Sequence, residues 1–218
     1  MTPIAATHSH LTSPRDPNLS GHETTSNTLS WLFYELSRHP EHQATLRAEI
    51  QAVRARVTTR GDAEFSLGDM DSMHFVVATI KETLRLHPIV YMLPRLSTRE
   101  EVLPLALPVT DVDGEIMSEI PIPKGTNLSL SFWQYNRSVS CLAKRWLWAI
   151  CRWLRCIFRL TEIWGPDADE FNPSRFVGHE KLGETYVGVT SNLLSFSAGL
   201  QACIGYVRSG IMHCANVC

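Results

Sequence analysis

A cysteine in a glycine-flanked loop near the end of the chain has the clearest chemical potential of any residue in the sequence. The loop runs from Phe196 to Gly205, reads FSAGLQACIG and contains Cys203. Gly199 and Gly205 let the backbone approach a large flat group, and amide N–H donors around a thiolate lower its pKa and tune its donor strength toward a metal. Zinc is disfavoured, because no second cysteine or histidine lies at ligand spacing near Cys203. A buried structural cysteine is the alternative for this residue taken alone.

Two other motifs carry charged side chains. The stretch KETLR places Glu82 and Arg85 three residues apart, on one face of a predicted helix. Arg175 lies between the phenylalanines of the loop Phe171–Phe176, after a proline that favours a turn. Taken alone, the spacing of Glu82 and Arg85 is typical of a solvated helix ion pair worth roughly 0.3 kcal/mol. The loop taken alone is typical of two packed phenylalanines with an exposed arginine.

The fourth motif, SGHETT at 20–25, combines an acid with two hydroxyls next to a glycine. Glu23 and Thr24 of this motif could bind a small ligand and relay protons. The alternative is a helix cap, in which Ser20 is the N-cap and Glu23, three residues later, completes a capping box. Taken alone, the motif favours the cap.

In this order the four motifs resemble the C-terminal half of cytochrome P450. The resemblance covers residues 20–138 and 162–205 and includes the oxygen-binding helix, the E-x-x-R helix, the P-x-R-F meander and the F-x-x-G-x-R-x-C-x-G haem loop. The opening GHETTSNTLSW is most similar to fungal and microsomal members. The resemblance implies haem b as cofactor and a mainly α fold with a small β-sheet (α+β), present here as an incomplete C-terminal half of the cytochrome P450 fold.

The resemblance also implies catalytic roles. Cys203 is the expected thiolate ligand of the haem iron, which favours cleavage of the O–O bond. Glu23 and Thr24 are expected to hold dioxygen and deliver protons, and the presence of both favours oxygenation over the rearrangement of peroxides. Gln201 stands where the family usually has a basic residue, so the charge-assisted part of a contact with a haem propionate is lost.

A buried charge network and several haem contacts are implied in the same way. The network is expected to join Glu82, Arg85 and Arg175, and it needs every member because an unpaired buried charge costs on the order of several kcal/mol. Arg95 is expected to reach a haem propionate. The residues expected to contact the haem or shape its loop are Phe196, Gly199, Gln201 and Gly205.

The implied activity is that of a monooxygenase that inserts one oxygen atom into a small organic substrate. Its electrons would come from NADPH through a reductase of the NADPH–cytochrome P450 reductase type. Full-length relatives lie on the endoplasmic reticulum membrane, and we expect membrane association only through an N-terminal anchor that is missing here. Candidate substrate contacts are limited to the strand Ile89–Met92. The alternative is a non-functional fragment of a misassembled or intron-retaining gene, with little haem binding or turnover.

Hydrophobic periodicity predicts the elements that position these motifs. Three prolines among residues 1–19 predict coil there. A helix is predicted from about Gly21 to His39, with Leu29, Leu32, Phe33 and Leu36 on its apolar face. Two more helices are predicted at about 41–56 and 71–86. Short strands are predicted between residues 90 and 131, with turns at Asp113-Gly114 and 123–125 and a last strand at Asn127–Phe132.

Residues 139–161 differ from their surroundings. They hold three of the six tryptophans, three of the six cysteines, five basic residues and no acid. We interpret them as a retained-intron insertion, because Val139-Ser140 can be encoded as GTGAGT and the flanking sequence continues smoothly without them. A basic amphipathic helix on a membrane surface is the alternative. The expected organisation is a disordered or aberrant N-terminus at 1–19, a partial P450 domain at 20–205 interrupted at 139–161, and an aberrant tail at 206–218.

The composition is that of an ordinary globular protein. Of 218 residues, 44% are apolar and 19% charged, and the formal net charge is −2, which gives no reason to expect a nucleic acid as partner. No apolar run reaches the roughly 18 residues of a membrane span, and the first twenty residues lack the basic start and apolar core of a secretory signal. Without such a signal, a disulfide framework is the weaker interpretation of the cysteines.

Overall fold

A computed structural model describes most of the motif-bearing part of the chain. The described residues are 17–137, 164–165, 167–178, 193–199, 202–203 and 205, with only the backbone at 17–20 and 106–107. The predictions for residues 1–16, Gln201, the tail 206–218 and the whole of segment 139–161 lie outside these ranges.

The described residues form helices at the N-terminal side followed by short antiparallel strands. The helices are α1 (Pro17–Arg38), α2 (Pro40–Arg60), α3 (Leu67–Asp71), α4 (His74–Leu86) and α5 (Phe132–Asn136). The strands are β1 (Met92–Leu96), β2 (Glu101–Thr110), β3 (Ile116–Ile122) and β4 (Asn127–Ser131), and a 3₁₀ helix follows at Pro173–Phe176. The predicted α+β class is confirmed.

The helix α1 begins earlier than the sequence pattern predicted. It starts at Pro17, so the prediction of coil through residue 19 is wrong for its last three residues. A proline is well tolerated in the first turn of a helix, where its missing N–H would have no partner anyway. Ser20 is therefore the fourth residue of the helix, and its interpretation as an N-cap is wrong.

The core packs α1, α2 and α4 against one another. Leu32 and Leu36 of α1 are buried as predicted, but Phe33 is 54% exposed, because it lies about 100° around the helix from Leu32. Most of the apolar face of α4 is also buried. The buried members of this core are Leu32, Leu36, Leu46, Val53, Val57, Met73, Val76, Ile80 and Leu84.

Two predicted helix boundaries shift. The helix α2 extends to Arg60 and ends at Gly61, whose φ of 89° gives a left-handed cap. The predicted helix at 71–86 is divided, because a separate short helix α3 ends at Asp71 and α4 starts only at His74. The short helix has its own capping box between Ser66 and Asp69.

The strands form two separate two-stranded sheets. The strand β1 pairs with β4, and β2 pairs with β3 through the predicted turn at Gly114, whose φ is 90°. The last strand ends one residue before the prediction, because Ser131 caps α5 by accepting the Gln134 N–H. Within the described residues, no helix combines the length and apolar character that a membrane crossing requires.

Candidate active site

A buried ion pair occupies the C-terminal half of α4. Arg85 donates from Nε to Glu82 Oε2 and from Nη2 to Glu82 Oε1, with both hydrogen bonds 2.8 Å long. The pair is bidentate, and both side chains have 0% exposure. The interpretation as a solvated surface pair is therefore wrong.

The remaining donors of Arg85 bind backbone carbonyls from distant parts of the chain. Nη1 donates to the carbonyl oxygens of Asn136 at 2.8 Å and Ala168 at 2.5 Å, and Nη2 donates to that of Glu170 at 3.0 Å. The guanidinium carbon also lies 5.4 Å from the centroid of the Trp164 ring. One buried side chain thus fastens α4 to the end of α5 and to the stretch 164–170.

Arg175 lies next to this pair but binds another carboxylate more closely. Its Nε is 3.6 Å from Glu82 Oε1, which is an ion-pair distance but too long for a hydrogen bond. Its Nη2 donates to Asp167 Oδ2 at 2.7 Å, and this hydrogen bond holds the pKa of Asp167 below its usual range. The Asn172 N–H donates to Glu82 Oε1 at 2.9 Å. Arg175 is only 8% exposed, so the interpretation as an exposed loop arginine is wrong.

The Cys203 loop is closed by its own backbone. The Cys203 N–H donates to the Phe196 carbonyl oxygen at 2.9 Å, and the Ala202 N–H donates to that of Gly199 at 3.2 Å. Gly199 has a φ of 73°, which favours glycine. The thiol of Cys203 is exposed, so the interpretation as a buried structural cysteine is wrong. A Cβ placed on Gly205 would lie 3.7 Å from Cys203 Sγ, in van der Waals contact with it.

A second set of contacts fastens this loop to the helix that carries the ion pair. Asn136 Nδ2 donates to Ser195 Oγ at 2.9 Å, and Ser195 Oγ donates to the Leu84 carbonyl oxygen at 2.7 Å. Phe196 packs against the core formed by α1, α2 and α4. Asn136, Ser195 and Asp167 were not predicted, because none of them carries a spacing signal in the sequence.

The other predicted site residues lie apart from these contacts. Glu23 is exposed and Thr24 is half-buried, with Thr24 Oγ1 donating to the Gly21 carbonyl oxygen at 3.4 Å. Arg95 lies on β1, where its Nη1 donates to the Pro94 carbonyl oxygen at 3.0 Å.

A mainly apolar cavity of about 670 Å³ lies between α1 and the segment after α4. It begins at Asn27, one turn after Thr24 on α1, and includes Ile89 and Tyr91 of the predicted substrate-contact strand. Its full lining is Asn27, Trp31, Leu86, His87, Pro88, Ile89, Tyr91, Trp133 and Arg137.

A buried carboxylate supports one wall of this cavity. The ring of Trp31 stacks on that of His87 with centroids 4.1 Å apart, and His87 Nε2 lies 2.7 Å from Glu35 Oε1. Burial lowers the pKa of His87, and the hydrogen bond with Glu35 partly opposes this. The wall is therefore a fixed aromatic surface.

The α+β fold, the buried E-x-x-R pair and the cysteine on a glycine-bearing loop agree with the family that the sequence resembles. The model of the family named Cytochrome P450 matches residues 16–141, which is more than half of the chain. The chain therefore belongs to the cytochrome P450 family, and haem iron is the general cofactor of that family.

Several fungal relatives share about a third of the aligned residues. The chain is 33% identical to ganoderic acid synthetase CYP5150L8 of Ganoderma lucidum and 30% identical to cytochrome P450 monooxygenase 205 of Postia placenta, each over 86% of its length. It is 33% identical over 84% of its length to cytochrome P450 monooxygenase eriI of Hericium erinaceus. The chain spans about 30% of the length of these relatives.

Proposed function

We propose that this chain carries the haem-thiolate part of a monooxygenase, with Cys203 as the ligand of haem iron. The observation that carries the proposal is the exposed thiol of Cys203 on a loop whose backbone is closed at Phe196. The loop is fastened through Ser195 to the helix that bears the buried Glu82–Arg85 pair. A thiolate donor held on a rigid support meets the requirement for a stable axial ligand.

The residues present fit a haem. Cys203 is exposed, and a Cβ added at Gly199 would meet none of the described residues within 4 Å, which leaves room among them for a flat group. Cys203 would bind the iron, Phe196 and Gly199 would shape the loop beneath the ring, and Arg95 and Gln201 would bind propionates. When bound, the haem supplies the activation of dioxygen, with the thiolate favouring cleavage of the O–O bond.

Proton delivery is assigned to Glu23 and Thr24. The Glu23 carboxylate is exposed, so it can exchange protons with solvent, and the half-buried Thr24 hydroxyl is adjacent in sequence. A hydroxyl both accepts and donates a hydrogen bond, so Thr24 Oγ1 can pass a proton inward. Thr24 Oγ1 donates to the Gly21 carbonyl oxygen at 3.4 Å, which is longer than usual for an O–H···O hydrogen bond.

The substrate is proposed to be a small organic molecule that occupies the cavity between Asn27 and Tyr91. The apolar lining favours an apolar substrate, and the cavity starts one helical turn from Thr24. The electrons are proposed to come from NADPH through a reductase of the NADPH–cytochrome P450 reductase type.

A second candidate is a non-functional product of an intron-retaining gene. The observation that favours it is the end of the family match at residue 141, within the compositionally distinct segment 139–161. Such a chain would retain the Glu82–Arg85 pair and the cysteine loop but bind haem weakly and turn nothing over.

Haem titration of the purified chain, followed by reduction and addition of carbon monoxide, distinguishes the two candidates. We expect the red-shifted Soret band of a thiolate complex, its loss in Cys203→Ala and its retention in Cys218→Ala, which also removes one thiol. A spectrum of free haem in the unsubstituted chain would support the non-functional product. A thiolate band that survives Cys203→Ala would contradict the assignment of the ligand.

A further inference from the structure

We propose that the corner between α1 and α2 binds a divalent transition-metal ion through His39, Glu41 and His42. One ligand atom from each of the three side chains lies within 4.8 Å of the others. His39 Nδ1 is 3.1 Å from Glu41 Oε1, and His42 Nε2 is 4.0 Å from the same oxygen. The proposal is independent of haem binding, because none of these residues belongs to the proposed haem site.

These distances are close to what a single ion requires. Ligand atoms that each lie about 2.1 Å from a tetrahedral ion are roughly 3.4 Å apart. The His39–Glu41 distance is already slightly shorter than this, and the His42–Glu41 distance is longer by about half an ångström. The third separation, between the His39 and His42 nitrogens, is at most 4.8 Å, so the two imidazoles must draw together for all three atoms to reach one ion.

The backbone holds the three residues in a fixed arrangement. His39 is the residue between the two helices, and Pro40 starts α2 with its restricted φ. Glu41 and His42 follow in the first turn of α2, so all three ligands come from four consecutive residues. Little chain entropy is lost when they converge on an ion.

Aromatic neighbours restrict both imidazoles. The Phe171 ring lies 5.5 Å from that of His39 and 6.0 Å from that of His42, measured between centroids. The Phe75 ring lies 6.0 Å from that of His42. Imidazoles held between larger rings have few rotamers to lose on binding, which favours a metal site over a mobile surface cluster.

A buried carboxylate lies behind one ligand. His39 Nε2, the ring nitrogen that does not face Glu41, is 3.9 Å from Glu35 Oε2, and Glu35 is 4% exposed. A carboxylate near the second ring nitrogen is the common support of a metal-binding histidine, since it fixes the ring and raises its basicity. At 3.9 Å this contact is an ion pair and not a hydrogen bond.

The charges at the corner also permit a cation. A helix N-terminus carries a partial positive charge that opposes cation binding, and Arg38 lies 3.7 Å from Glu35 Oε2 and offsets part of its charge. Against these, Glu35 and Glu41 place two carboxylates within 4 Å of His39. The Glu41 side chain is 62% exposed, so an ion can enter from solvent and complete its coordination with water. Two imidazole nitrogens and one carboxylate oxygen favour Zn²⁺, Ni²⁺ or Cu²⁺ over Mg²⁺ and Ca²⁺.

The test is a calorimetric titration of the full chain with Ni²⁺, after its cysteines have been blocked with iodoacetamide so that thiols do not compete. We expect one site whose affinity falls at least about tenfold in His42→Ala and in Glu41→Gln. His74→Ala is the matched control, because it removes an exposed histidine from the start of another helix.

The Ni²⁺ affinities of the unsubstituted chain and of the variants decide whether the site exists. An unchanged affinity in His74→Ala, together with the two losses, supports the site. The absence of a saturable site at millimolar Ni²⁺, or equal affinity in His42→Ala and the unsubstituted chain, would overturn it. Far-UV circular dichroism of each variant checks that the helices remain folded, and all three substitutions lie on solvent-accessible side chains.

Discussion

At the scale of single residues, Glu82 is the carboxylate that compensates the buried charge of Arg85. It accepts both bonds of the Arg85 fork and lies 3.6 Å from Arg175, with no exposure to solvent. Glu82→Gln preserves the shape of the side chain but removes its charge and leaves a buried guanidinium uncompensated. We expect the free energy of unfolding to fall by about 3–5 kcal/mol, measured by urea denaturation.

Glu64→Gln is the control for this substitution, because it makes the same chemical change at an exposed glutamate. Its effect is expected to stay within about 0.5 kcal/mol. A loss of less than about 1 kcal/mol in Glu82→Gln would show that the backbone carbonyls around Arg85 compensate its charge without the carboxylate.

The residues of this network differ in how far the sequence could predict them. Glu82 and Arg85 were found from their spacing, because a motif four residues long on one helix is a local feature. Asp167 and Asn136 were missed, because their partners lie elsewhere in the chain and become neighbours only in the folded structure. A single polar residue gives no sign in the sequence of which distant group it binds.

At the scale of elements, Asp69 connects the short helix α3 to the end of α2. It accepts hydrogen bonds from Arg60 at 2.7 Å and from the Ser66 N–H at 2.8 Å. These bonds hold the pKa of Asp69 well below its usual range, and the bond from Arg60 contributes most. Asp69→Asn is therefore expected to lower the melting temperature at pH 7.

The pH dependence of this effect follows from the direction of the pKa shift. The stability contributed by a carboxylate with a depressed pKa is fully present above the unfolded pKa of about 3.9 and is lost as pH falls toward the folded pKa. The melting-temperature difference between Asp69→Asn and the unsubstituted chain should thus be constant above about pH 5 and shrink below about pH 4. Asp71→Asn, at an exposed position of the same helix, should show no such trend. A pH-independent difference for Asp69→Asn would refute the role of its charge.

Helices were predicted correctly where an amphipathic pattern was long. Their ends were misplaced where capping contacts determine at which residue a helix begins or ends. Residues 41–56 of α2 were predicted, whereas its last four residues and the break between α3 and α4 were not. The Ser66–Asp69 capping box starts α3, and the break after it follows from Ser72, whose Oγ donates to the Asp69 carbonyl oxygen at 2.7 Å. The Glu49 carboxylate then accepts the Phe75 and Val76 N–H groups at the start of α4. The exposure of Phe33 has a similar cause, since apolarity does not decide which side of a helix faces the core.

At the scale of the whole molecule, the order of the four motifs was sufficient to predict the family and the fold class, both of which are confirmed. The contacts of Arg85 explain why that order matters. Arg85 binds carbonyls at Asn136, before segment 139–161, and at Ala168, after it. The segment therefore interrupts two stretches of chain that must meet at one side chain.

Deleting residues 139–161 tests whether the segment belongs to the domain. The deletion shortens the connection between Arg137 and Trp164 from the 26 residues 138–163 to three. The Trp164 indole N–H already donates to the Tyr135 carbonyl oxygen at 3.2 Å, so the ends to be joined are close. The lower entropy of loop closure should raise the free energy of unfolding by about 2 kcal/mol, measured in urea.

A variant in which the sequence of 139–161 is scrambled at constant length separates the effect of length from that of sequence. If the segment is retained-intron sequence, the scrambled chain should unfold at the same urea concentration as the unsubstituted chain, and only the deletion should gain stability. A deletion that destabilises the chain, together with a scrambled variant that also loses stability, would show that this tryptophan-rich stretch packs as part of the domain. The interpretation as inserted sequence would then be wrong, and the contacts of Arg85 would depend on the packing of this segment.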